Sequence, residues 1–173
     1  MKYVIVGCGR VGAALAEAFD SAGNEVIIID TSTRSFDKLS DAFKGQAVRG
    51  DGTDEDVLRK AGTEGADAFL ALTEGDNRNV MAAQVAMEKL SVGKAIAKIN
   101  DPVRAAAYAE LGIATVCRTT MLTDAILGFL AQRPTGMPSV IAPVPHVHDE
   151  PPGPRGSSAP RLGAQPVSTP PEA

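Results

Sequence analysis

Gly7, Gly9 and Gly12 stand in the spacing G-x-G-x-x-G, and Asp30 follows at the end of the next apolar run. This set of residue types binds phosphate and ribose. Gly7 permits a sharp turn, Gly9 removes a side chain where a pyrophosphate must approach, and Gly12 lets a helix pack close to a strand. The helix that follows would present unpaired N–H groups and a partial positive charge, which attract an anion. Asp30 lies about 20 residues on, where a carboxylate accepts from both ribose hydroxyls and repels a 2′-phosphate. Thr31 follows it at the same strand end. In isolation the glycine spacing would also suit a plain turn of a nucleotide-free α/β protein. Its context gives it meaning, with a strand before it, a helix after it and an acid closing a second strand.

The elements that must hold these residues are legible in order. Tyr3 to Val6 and Glu25 to Asp30 read as buried strands flanking the first helix. Thr31-Ser32-Thr33 caps a predicted helix over about 34–43, with Phe36, Leu39 and Phe43 on one face. Gln46 to Arg49 is a short third strand, and Asp54 caps a helix from Glu55 to Ala61. Ala68 to Thr73 is a strand buried on both faces. The helix after it is expected from about Asn77 to Leu90, with Val80, Ala83, Ala86, Met87 and Leu90 as its core stripe. A fifth strand spans Lys94 to Asn100, and Pro102 starts a helix that Gly112 ends. A sixth strand runs from Ile113 to Cys117, and a last apolar helix covers about 119–131, placing Met121, Leu122, Ala125, Ile126, Phe129 and Leu130 together. Six such alternations predict a Rossmann-like doubly wound parallel sheet of α/β class. A helix that apolar either closes onto the sheet or packs against a partner.

In an open α/β sheet the C-terminal strand ends line the ligand crevice. Asp51, Gly52 and Thr53 sit at one such end and would reach a bound base, or form only an Asp-Gly turn and a cap. Thr73 and Asn77 sit at another, as ligand contacts or as caps, with Asn79 the weaker candidate. Lys98 would offer charge to a phosphate, or be a solvated strand-end lysine. Cys8 reads as a small filler of the turn.

Composition narrows the class. The 173 residues suffice for one domain of ordinary size, and the few aromatics, with no Trp, suit a Val/Ile/Leu/Ala core. A net charge of −4 without a Lys/Arg cluster argues against nucleic-acid binding. Cys8 and Cys117, the two cysteines, fit a reduced cytosolic protein. No apolar run is long enough to span a bilayer, so a soluble chain with no direct membrane insertion is expected. From Arg133 onward lie eleven of the twelve prolines, which predicts an ordered domain over 1–132 and a disordered tail over 133–173. His146 and His148 lie in that tail without a ligand framework, so no metal site is expected.

Together, Val4 to Gly12, Val26 to Asp30, Gly50-Asp51-Gly52-Thr53-Asp54, Val57 to Gly62, Ala66-Asp67-Ala68, Asp76-Asn77-Arg78-Asn79, Ala97 to Pro102 and Leu111-Gly112-Ile113 are similar to the N-terminal lobe of the RCK family. These lobes, also called KTN or TrkA-N domains, regulate potassium channels and Trk/Ktr-type potassium uptake systems. The resemblance covers residues 1 to about 131. It implies a cytoplasmic regulatory subunit that binds NAD(H), or alternatively ATP or ADP, and acts on a membrane-embedded potassium transporter or channel. Gly7, Gly9, Arg10, Val11 and Gly12 would hold phosphate, Asp30 ribose, and Asp51, Gly52 and Thr53 would flank adenine. Thr73, Asn77 and Lys98 would line the far part of the pocket. The final helix resembles the family's crossover helix, which implies a homodimer or a higher RCK assembly. Many Trk-type members continue into a β-rich second lobe. Here the proline-rich tail stands in that position, which leaves the second effector site and second assembly surface without a matching segment. Lys98 stands where the family often has arginine, keeping the charge and losing the bidentate fork.

The rival reading is a small NAD-dependent oxidoreductase on the same fold. Six alternations consume the ordered length and leave no substrate domain. The short-chain dehydrogenase pattern needs a Lys four residues after its Tyr, and Tyr108 is followed there by Gly112. A non-catalytic regulatory domain is therefore expected.

Overall fold

The computed structural model describes residues 1–110 and 113–130. The element order is β1 (Lys2–Val6), α1 (Arg10–Ser21), β2 (Glu25–Asp30), a 3-10 helix (Thr33–Lys38), β3 (Gln46–Arg49), α2 (Glu55–Lys60), β4 (Ala68–Ala71), α3 (Asp76–Lys89), β5 (Ala95–Ile99), α4 (Pro102–Glu110), β6 (Ala114–Cys117) and α5 (Arg118–Phe129). Every strand pairing is parallel, and the six strands run β3-β2-β1-β4-β5-β6. The doubly wound sheet expected from the alternation is the one observed. The order of the strands reverses at β1, with β2 and β3 laid down on one side and β4 to β6 on the other, and the C-terminal ends of β1 and β4 open a crevice.

Period-two alternation divides the strand residues between two cores. Val4, Val6, Ile27, Ile29, Phe69 and Ala71 face α2 and α3, whereas Ile5, Val26, Ile28 and Leu70 face α1. Tyr3 stacks on Phe19 at 4.1 Å on the α1 side. Such burial on both faces is why β1 and β2 read as continuous apolar runs.

Several boundaries differ from expectation. The helix predicted over 34–43 is a 3-10 helix that ends at Lys38. Its continuation is pulled away because the Ser40 amide donates to Glu17 Oε1 at 2.6 Å and the Lys44 amide to Asp20 Oδ2 at 3.0 Å. Carboxylates on α1 thus take donors that an α-helix would need. Phe36, Leu39 and Phe43 still pack against the α1 core. β4 ends at Ala71 rather than Thr73, because the Thr73 amide turns to Asn79 Oδ1 at 2.8 Å. On α3, Met87 is 41% exposed, and the buried stripe is Asn79, Val80, Ala82, Ala83 and Ala86, continued by Leu90.

Helix α5 does not close its apolar side onto the sheet. Leu122, Ile126 and Phe129 are exposed, the last at 90%, while the buried residue of the helix is Asp124. The predicted helix end at Gly112, the tail over 133–173, and the His146 and His148 pair lie outside the described residues.

Candidate functional site

The site grows from the β1–α1 turn. Gly7 has φ of +104°, and a Cβ there would stand 2.9 Å from the Leu72 carbonyl carbon. Both facts require glycine. A Cβ on Gly12 would overlap the Gly7 carbonyl oxygen, so this glycine serves close packing of the helix start against the turn. Gly9 differs: a Cβ there would meet nothing within 4 Å. Its missing side chain leaves open space, as a pyrophosphate approach demands. Helix α1 has Gly9 as its N-cap, with no side-chain capping bond and no acidic residue in the first turn. Its first amides are left for an anion, and the first turn of the helix carries no carboxylate of its own.

Asp30 closes the turn from β2. Its Oδ2 accepts from the Cys8 amide at 2.8 Å and its Oδ1 from the Ser32 amide at 2.9 Å. A carboxylate has about four lone-pair positions, so acceptor capacity remains for ribose hydroxyls. Asp30 therefore shapes the phosphate turn and faces the crevice. Cys8 is fully buried, and its thiol donates to the Ser35 carbonyl at 3.2 Å. Burial first, and the nearby Asp30 charge second, push this thiol up, so it stays protonated and fills space.

These elements enclose a cavity of about 230 Å³ that gathers Gly7, Gly9, Asp30, Thr31, Asp51, Gly52 and Thr73. A second cavity of about 170 Å³ joins Gly9, Arg10, Val11 and Gly12 to Lys98. An anion-binding turn, a ribose-type carboxylate and a two-part crevice at a topological switch point form a nucleotide-shaped site.

Proteins of related sequence and fold are known. The family model of the TrkA-N domain matches residues 3–119. The chain belongs to the TrkA-N family. It is 47% identical over 127 residues to the Trk system potassium uptake protein TrkA of Streptomyces coelicolor, an alignment that takes in 73% of this chain and 57% of that protein. The chain thus spans little more than half of that relative's length. Among solved structures, the TrkA-N domain of the inner membrane protein ybaL from Escherichia coli superposes with a TM-score of 0.66 at 23% identity, over 75% of this chain and 96% of that one. The GsuK channel bound to NAD superposes at 0.61 and 19% identity, over 73% of this chain and 23% of that one. At those identities the likeness is one of fold.

Within this TrkA-N domain the remaining predicted residues take distinct places. Thr53 stands behind the crevice and does not line it. Its amide and hydroxyl donate to Asp51 Oδ1 at 3.0 and 2.8 Å, which holds the Asp51 carboxyl below the usual carboxylate range. A Cβ on Gly52 would overlap the Val6 side chain, so that glycine lets the loop lie across the end of β1. Asn77 is exposed on α3, accepts from the Tyr108 hydroxyl at 3.4 Å and lines neither cavity. Lys98 is nearly buried and forms an ion pair with Glu74 at 3.2 Å.

Asn79, the weaker candidate from sequence, is a staple. It is fully buried, accepts from the Thr73 amide and hydroxyl at 2.8 and 2.6 Å, and donates to the Thr73 and Lys98 carbonyls at 2.9 and 2.7 Å. Residues not singled out from sequence also line the crevice: Ser35, Lys38, Glu74 and Arg78 in the first cavity, and Glu74 with Arg118 in the second. Glu74 and Arg118 follow the ends of β4 and β6, and the rule that picked Thr73 and Lys98 would have found them.

Proposed function

We propose that this chain is the nucleotide-sensing lobe of a potassium uptake system, binding NAD(H), or alternatively ATP or ADP, in the crevice above the β1–α1 turn. The observation that carries the reading is the turn itself. An unfilled space at Gly9, an uncapped α1 start and the Asp30 carboxylate converge on one cavity. Support for the physiological context comes from the relative named a Trk system potassium uptake protein and from the same fold in a channel solved with NAD. The role is regulatory. Asp30 and the glycine turn bind and orient a nucleotide, and Tyr108, whose hydroxyl donates to Asn77, lines neither cavity. Among the described residues no helix is long and apolar enough to cross a membrane, and in this reading a membrane-embedded partner carries the ion. The chain would work at the cytoplasmic face of that partner, as a pair joined through α5, with the nucleotide shifting the balance between arrangements of the pair.

A thermal-shift series with NADH, NAD, ATP, ADP and NADP tests this. A ligand at a hundred times its Kd adds about 2.7 kcal/mol to the folded state, which is about 10 °C for a domain of this size. The expected result is a rise with one or more of the first four and a smaller one with NADP, whose 2′-phosphate would meet Asp30. No rise with any of the five, or a preference for NADP, would overturn the reading.

A further inference from the structure

The two cavities meet at Gly9, Leu72 and Glu74, so the crevice continues past the phosphate turn toward the ends of β5 and β6. That continuation is cationic, since Arg10, Lys98 and Arg118 surround it. One carboxylate already stands there. Glu74 Oε1 lies 3.2 Å from Lys98 Nζ, and its Oε2 lies 3.9 Å from Arg118 Nη1. The Lys98 side chain is only 11% exposed, whereas that of Glu74 is 85% exposed. The backbone of Glu74 is tethered separately, because its carbonyl accepts from Asn100 Nδ2 at 3.2 Å.

We infer that Glu74 is a specificity-determining residue, an internal anion that occupies the distal end of the crevice and disfavours ligands carrying a phosphate chain into it. The inference rests on the nucleotide reading above and names what that reading leaves open, the choice among nucleotides. Phosphates bound at the start of α1 can be held by its free amides. A third phosphate reaching beyond the turn would have to displace the Glu74 carboxylate from both cations and remain within a few ångströms of its charge. A ligand whose distal half is an uncharged or cationic ring and its ribose brings no anion to that end. The carboxylate is mostly in water, so the discrimination is modest and graded by phosphate number.

Calorimetric titration of AMP, ADP, ATP and NADH in EDTA, into the wild-type chain and Glu74→Gln, tests the proposal. The exposed side chain and separately held backbone leave the variant folded, which a matching melting curve verifies. ATP should tighten about three- to tenfold in Glu74→Gln and ADP less, while AMP and NADH change less than twofold. In Glu74→Gln with Arg118→Gln the gain for ATP should be largely lost, because the released cation is what the third phosphate meets. An equal change for all four ligands, or none for ATP, would overturn the role of Glu74 and leave the nucleotide reading intact. Failure of the wild-type chain to bind any of the four would end both.

Discussion

Gly9 and Gly12 belong to one motif and do different physical work, so their substitution should separate binding from folding. At Gly9 an added side chain enters space the protein leaves empty. Gly9→Val is expected to weaken nucleotide binding at least tenfold, the loss of about 1.4 kcal/mol or more, with a melting temperature close to wild type. At Gly12 even one methyl group overlaps the Gly7 carbonyl oxygen. Gly12→Ala should therefore lower stability by about 1–3 kcal/mol, seen as an earlier denaturant midpoint, as the start of α1 shifts from the turn. The reverse pattern would contradict both roles. These positions were legible because each needs only its neighbours in sequence, a strand before the turn and a helix after it. Asp30 was legible for the same reason, although its bonds to the Cys8 and Ser32 amides were not. Lys38 and Ser35 escaped notice because they reach the crevice only through the tightly folded 3-10 segment.

Among elements, what escaped the sequence pattern was set by contacts distant along the chain. The stretch after β2 has helical spacing in Phe36, Leu39 and Phe43, yet Glu17 and Asp20 on α1 bind the Ser40 and Lys44 amides and prevent a regular helix. Periodicity reported the buried face correctly and the backbone wrongly. The join between β4 and β5 is a second case. Asn79 projects from α3 and uses both amide atoms to bind Thr73 and the carbonyl of Lys98, thereby fixing two strand ends that line the crevice. Asn79→Ala would leave the part-buried Thr73 amide and the buried Lys98 carbonyl without these partners. Each such orphan costs about 1–3 kcal/mol, so the substitution should destabilise the domain by about 2–4 kcal/mol in urea unfolding. A loss under about 0.5 kcal/mol would show that water replaces the staple.

For the whole molecule, exposed apolar side chains gather on α5. In a single chain the helix keeps Met121, Leu122, Ile126, Phe129 and Leu130 exposed, and the apolar groove between α1 and α5 is lined by Val11, Leu15, Ile96, Val116 and Leu122. An isolated exposed leucine needs no explanation, but five large exposed apolar side chains on the thirteen residues of α5 and its C-cap are the kind of exposure that marks an interface. Two copies meeting through α5 would bury these side chains symmetrically, and each substitution would then count twice. A fully buried Phe contributes about 1.5–3 kcal/mol. Phe129→Ser should accordingly raise the dimer Kd at least a hundredfold, read by sedimentation velocity over a concentration series. Because Phe129 makes up little of the domain's own core, nucleotide affinity per protomer and the melting curve at low concentration should stay as they are in the wild type. A wild-type chain that sediments as a monomer at every concentration would remove the α5 pairing.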